Sequence, residues 1–162
     1  MSEPTPKFAA DKMLGRLATW LRLLGYDTLY GSHLNGRTLL RAARAEGRVV
    51  LTRDTRLRRL REAPPMLFIE SDHFREQIRQ VLTAYGLDPY ARLLTRCARC
   101  NEPVQAVAKE AAAERVPSYV AATQSVFVQC RRCRRLYWHA THADHIRVEL
   151  ERLGWPPSGT DR

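Results

Sequence analysis

KFAADKMLGRLATWLRLLGYDT, residues 7–28, joins a short apolar run to an amphipathic one through a single acid. Phe8, Ala9 and Ala10 have the continuous apolar character of a buried strand, whereas Leu14, Leu17, Ala18, Leu21 and Leu24 recur at helical spacing. Asp11 therefore stands at the carboxyl end of a strand and at the entry to a helix. An aspartate so placed can accept hydrogen bonds from the first free amides of the helix. It can equally be a metal ligand, because open parallel sheets hold their ligands beyond the carboxyl ends of their strands. Lys12, Arg16 and Thr19 lie on the same helix and would flank a phosphate near Asp11.

The chain beyond repeats this unit. Gly25 stops the helix, and residues 26–30 (YDTLY) form a second strand; after a loop over 31–36, residues 37–46 form a helix that stops at Gly47. Residues 48–52 make a third strand of the buried, continuously apolar kind, and it runs out into Thr52, Arg53 and Asp54. A basic turn over 55–62 ends at Pro64 and Pro65, and residues 66–70 form a fourth strand. Phe74, Ile78, Val81, Leu82 and Tyr85 then mark a helix that stops at Gly86. Strands alternating with helices predict an α/β fold with a parallel sheet flanked by helices.

The doubly wound order 2-1-3-4 sets the first strand beside the third, where the winding reverses. Adjacent strands lie about 4.8 Å apart, so Asp11 and Asp54 can share one divalent cation, and they are the candidate catalytic pair. Asp27 and Glu46 fall at the opposite, amino edge and read as solubilising or turn residues. Glu70 and Asp72 follow the fourth strand at the carboxyl edge, farther along, as candidate supporting acids. Asn35 and Gly36 lie at that edge too, without charge.

Periodicity fades after residue 86, and Pro89 interrupts the chain. The expected organisation is a disordered lead-in over 1–6, an α/β core over 7–88, a second unit over 89–153 and a loose tail over 154–162. The second unit holds two CxxC knuckles, Cys97/Cys100 and Cys130/Cys133, separated by 29 residues. Four thiolates on two tight turns complete a tetrahedral all-sulfur shell, which leaves no open position for water and so makes the zinc structural. His139, His142 and His145 read as packing or surface residues beside a filled shell. Tyr137 and Trp138 can floor the ribbon, Trp138 can alternatively stack on a base, and His142 can contact RNA.

The chain has 162 residues and a formal charge of +10, from 27 basic side chains against 17 acidic ones. That balance favours polyanionic partners, the plainer account being a solvated arginine-rich surface. No apolar run is long enough to span a bilayer, and the start MSEPTPK has no secretory character. A cytoplasmic protein without membrane contact is expected, and cysteines there are metal ligands more often than disulfides.

DKMLGRLATWLRLLGYDT, EGRVVLTRD, TRCARCN and CRRCRRLYWHATH together resemble the Mut-seven C-terminal RNase family, a branch of PIN-like nucleases with an attached zinc ribbon. The resemblance runs from Phe8 to about Leu153. It implies a PIN-like core, a structural Zn2+ on the four cysteines, and RNA cleavage dependent on Mg2+ or Mn2+ at Asp11 and Asp54. It also brings Lys12, Arg16 and Arg53 forward as phosphate contacts. The family pattern carries an acid before the second helix, in a D-x-x-L context, where this chain reads Gly36-Arg37-Thr38-Leu39. The catalytic edge is thus one carboxylate short, and the alternative is an RNA-binding module with a weak or inactive site. A receiver-type signalling domain also has an acid after strand one and an aspartate after strand three, but the knuckles and basic charge speak against it.

Overall fold

The computed structural model describes residues 4–157. Strands β1 (Phe8–Ala10), β2 (Thr28–Leu29), β3 (Val49–Thr52) and β4 (Met66–Phe68) pair in parallel in the order β2-β1-β3-β4. Helices α1 (Gly15–Leu23) and α2 (Gly36–Glu46) form the first two crossovers, a 3-10 turn over Leu57–Arg59 lies in the third, and α3 (Phe74–Ala84) follows β4. Ala10 lies opposite Leu51 and Phe8 opposite both Val49 and Thr28, so the expected neighbours are neighbours. The second strand is shorter than its apolar pattern predicts, two residues against five.

Alternation along the strands sorts the core into two layers, because successive side chains point to opposite faces. Phe8, Ala10 and Leu51 join the layer of α1 and α3, with Leu17, Leu21, Ile78 and Val81. Ala9 and Val50 face α2 and bury its Leu39, Leu40 and Ala43. Each fully buried leucine there contributes about 2 kcal/mol relative to exposure. Gly47 ends α2 with φ +62°, a left-handed turn that glycine takes without steric cost, and the chain enters β3 two residues later.

The remainder forms an antiparallel sheet of β5 (Val104–Val107), β6 (Phe127–Cys130) and β7 (Leu136–Trp138) in that order. Two short helices, α4 (Lys109–Ala113) and α5 (Ser118–Thr123), fill the gap between the knuckles, and Ala112 and Val120 bury against Phe127 and Leu136. The last helix, α6 (His139–Arg152), returns to the α1–α3 layer. There Ile146 and Leu150 join the main apolar cluster, the rings of Trp20 and His145 are 6.5 Å apart, and Arg75 Nε donates to Glu149 at 2.8 Å.

One apolar core therefore crosses the boundary expected near residue 88. The tail begins later than expected: Trp155 packs on the same cluster, and Tyr90 Oη donates to its carbonyl at 2.5 Å. The rest of the expected lead-in and tail falls partly on residues 1–3 and 158–162, which lie outside the described residues. No described helix is long and apolar enough to cross a membrane.

Candidate active site and metal centre

Asp11 directly follows β1 and is almost wholly buried, 5% exposed. Its backbone N–H donates to Leu51 O at 3.0 Å, which continues the β1–β3 pairing by one step. Its side chain accepts three hydrogen bonds, one of them as a helix cap. Oδ1 accepts from Met13 N–H at 2.8 Å and caps a 3-10 turn over Lys12–Leu14; Oδ2 accepts from Thr52 Oγ1 at 2.5 Å and from Arg53 N–H at 3.1 Å. Thr52, fully buried, in turn accepts from Asp54 N–H at 2.9 Å. One hydroxyl thus links the two acids across the switch in winding.

Asp54 is more open, and an arginine holds it. Arg56 Nε and Nη2 reach its two oxygens at 3.1 and 3.0 Å, and Arg56 N–H adds a third bond at 2.9 Å. These bonds, the side-chain ones first, keep the Asp54 carboxyl below the usual range. Asp11, Lys12, Asn35, Gly36, Arg53 and Asp54 line a cleft of about 440 Å³, together with Thr55, Arg56 and Leu57.

The other expected residues divide. Lys12 and Arg53 line the cleft, although Arg53 Nη1 is donated to Ile69 O at 2.9 Å. Arg16 does not: its guanidinium sits 3.5 Å from the centroid of the Phe74 ring, because its side of α1 faces α3. Glu70 and Asp72 also lie outside the cleft lining; Asp72 pairs loosely with His73 at 3.6 Å. Sequence reasoning missed Thr52 and Arg56. Thr52 carries no local signal, since its bond to Asp11 spans 41 residues, whereas Arg56 could have been found as a cation two residues from an acid in a turn.

The cysteines converge. Their four Sγ atoms lie within 4.8 Å of one another, and Cys97 Sγ is 3.6 Å from Cys133 Sγ. Zinc–sulfur bonds of about 2.3 Å set tetrahedral edges near 3.8 Å, so this donor set can hold a zinc ion. The two knuckles share one backbone plan. Cys97 N–H donates to Glu102 O and Asn101 N–H to Cys97 O; Cys130 N–H donates to Arg135 O and Arg134 N–H to Cys130 O. Asn101 and Arg134 close the turns with φ of +65° and +61°. Burial pushes the Cys97 thiol up, but the Tyr137 hydroxyl 3.2 Å away and the turn amides outweigh it and hold it at about 7. Burial and the neighbouring sulfurs push Cys100 up to about 12.

The first knuckle is bonded to the amino edge of the parallel sheet. Asn101 Oδ1 accepts from Thr28 N–H at 3.0 Å, and its Nδ2 donates to Asp27 Oδ1 at 2.7 Å. Buried Arg22 donates to Ala98 O and Arg99 O. Asp27 also pairs with buried Arg48 at 2.6 Å, and Glu46 takes the same guanidinium. Of the two acids read as solubilising or turn residues, Asp27 is thus the anchor of a seam, and Glu46 braces the arginine that pairs with it. The rings of Trp138 and His142 lie 4.6 Å apart, tilted by 45°, and neither residue lines the acid cleft; burial lowers the His142 pKa.

Fold and sites together define an α/β protein whose parallel sheet carries two acids at one edge and a cysteine ribbon, able to hold zinc, at the other. Residues 6–150 match the model of the Mut7-C RNAse domain, and the chain belongs to that family. Membership points to a nuclease-like, RNA-related function. Comparison with curated proteins finds no match, and neither does comparison with solved structures.

Proposed function

We propose that the protein is a divalent-metal-dependent ribonuclease of the cytoplasm, with Asp11 and Asp54 as its catalytic acids and the zinc ribbon as a structural part. The observation that carries this reading is the shared Thr52 hydroxyl, which bonds the Asp11 carboxylate and the Asp54 backbone N–H beside a cleft that both residues line. The donor set suits Mg2+ or Mn2+, hard cations that take one or two carboxylates and keep several waters. Asp11 has accepted one hydrogen bond on Oδ1 and two on Oδ2, so Oδ1 retains a lone pair; Asp54 Oδ2 retains one beside Arg56.

A bound cation would supply Lewis acidity to a phosphoryl oxygen and acidify water. The chain's own groups do the rest. Met13 N–H, Thr52 Oγ1 and Arg53 N–H fix the Asp11 carboxylate in one orientation. Lys12 and Arg56 offer positive charge to a phosphate entering the cleft, and Arg56 can exchange its carboxylate for that phosphate.

The second reading, an RNA-binding module without turnover, draws on Gly36 at the cleft, where the family pattern has an acid. Among the described residues no three carboxylates come together as a metal-binding group. Cleavage of a labelled single-stranded RNA, with Mg2+ or Mn2+ and with chelator, separates the two. Asp54→Asn, the less buried change, and Asp11→Asn lower the metal-dependent rate by at least roughly 100-fold and keep RNA affinity, while Glu110→Gln on exposed α4 keeps both. Wild-type binding without metal-dependent cleavage establishes the second reading.

A further inference from the structure

We infer that an arginine groove between α2 and the 3-10 turn after β3 carries the backbone of an RNA strand that runs on into the acid cleft; the inference rests on the RNA reading above. The groove encloses about 440 Å³ and is lined by Arg37, Leu40, Arg41, Arg44, Leu60 and Arg61, with Glu62 as its one acid. Arg37, Arg41 and Arg44 lie four and three residues apart, which puts them in a row on one face of α2. Arg61 faces them from the loop. The side chains of Arg37, Arg41 and Arg61 make no hydrogen bond or ion pair among the described residues, and Arg44 uses Nη2 on the backbone carbonyl of Glu62.

Its position selects the ligand. Asn35 and Gly36, the cap and first residue of α2, line the acid cleft, and Arg37 is the next residue. Leu57 of the cleft and Leu40 of the groove belong to one apolar cluster, so the two spaces are neighbours along the same wall. A row of guanidinium groups leaving the acid cleft, those of Arg37 and Arg41 free, suits a repeating phosphodiester, and Leu60, 48% exposed, offers an apolar surface to a base. The competing basic space lies between the knuckles and β2. It is lined by Arg22, Arg48, Arg99 and Arg132, but Arg22 and Arg48 are buried and already bonded, and it reaches the sheet's amino edge.

The test is the salt dependence of affinity for a labelled single-stranded RNA, measured without divalent cations on the full chain. Each phosphate contact adds about 0.7 to the log–log slope, so Arg41→Gln/Arg44→Gln/Arg61→Gln reduces the slope by about 2, and Arg99→Gln/Arg132→Gln leaves it unchanged. Because Arg44 also holds the loop at Glu62, Arg37→Gln/Arg41→Gln is the second variant, with an expected reduction of about 1.4. An unchanged slope in Arg37→Gln/Arg41→Gln overturns the inference, as does a reduction found only in the knuckle variant. An acidic protein partner at this groove would give that same unchanged slope. If the wild type binds through the groove but never cleaves, the ribonuclease reading fails and the inference stands; if the wild type binds no RNA, both fall.

Discussion

Thr52 Oγ1 donates to Asp11 Oδ2 across 2.5 Å in a site with no exposure at the threonine. Valine matches threonine in shape but lacks the hydroxyl, so Thr52→Val leaves Asp11 Oδ2 with Arg53 N–H alone and Asp54 N–H without its acceptor. Stability falls by about 2 kcal/mol, while Thr52→Ser, which keeps the hydroxyl, loses less than half of that. Urea unfolding of the three proteins measures the difference. Equal midpoints for the valine and serine variants contradict the linkage.

Arg56 and a divalent cation compete for the same oxygens of Asp54. Arg56→Ala therefore raises Mn2+ affinity, by roughly fivefold for an exposed pair, and lowers RNA affinity. Isothermal titration with Mn2+ reads the first effect and fluorescence anisotropy with RNA the second. A variant that binds Mn2+ no better than wild type would place the cation elsewhere.

Gly36 lines the cleft, and a Cβ built on it meets nothing within 4 Å. Gly36→Asp restores the carboxylate of the family pattern at a position with room for it. Its φ of +39° makes the change strained, at about 1 kcal/mol, since aspartate tolerates the left-handed region better than most residues. The expected outcome is faster metal-dependent cleavage with a slightly lower melting temperature. A slower rate in a folded variant would argue that Gly36 is needed for close approach of substrate.

Asp27 governs an acid limb in stability. Burial alone would raise its carboxyl, but hydrogen bonds from Arg48 and Asn101 outweigh burial and hold it below the usual range. The unfolded chain then binds the proton more readily, so the contribution is full above the unfolded value near 4 and disappears as pH falls through the folded value. Asp27→Asn costs about 2 kcal/mol at neutral pH and flattens the wild-type loss on the acid side of the unfolded value. Parallel pH profiles for the two proteins would refute this.

Zinc removal should be felt in the parallel sheet as well as in the ribbon. The Cys97–Asn101 turn positions Asn101, whose side chain accepts from Thr28 N–H at the start of β2. A strong chelator therefore speeds hydrogen exchange at Thr28 and Leu29, and elemental analysis of untreated protein returns about one zinc per chain. Unchanged exchange in β2 after zinc loss would uncouple the two.

Much of the sheet was legible because its signals are local. Continuous apolar runs mark β1 and β3, glycines mark the helix ends, and the winding rules turn that order into the adjacency of Asp11 and Asp54. The knuckles were legible from spacing alone. What depended on register or on packing between distant segments was not. Arg16 has the same helical address as a phosphate ligand, and only the approach of α3 sends it to Phe74. Asp27 and Glu46 were correctly assigned to the amino edge, but nothing nearby in sequence announces that Asn101, 74 residues on, completes the Asp27 seam. The helices between the knuckles, α4 and α5, are five and six residues long and too short to leave a periodic trace.

The return of α6 to the α1–α3 layer bears on how such a protein can be recombined. Trp20, Phe74 and Ile78 need Ile146 and Leu150 as cover, and Arg75 needs Glu149 as its counter-ion. A gene cut near residue 88 would pass through a shared interior, so the acid-bearing sheet is not a portable cassette. A fragment ending there would present that uncovered face to other chains and accumulate as aggregate, whereas a graft that carries the sheet and α6 together keeps the layer closed.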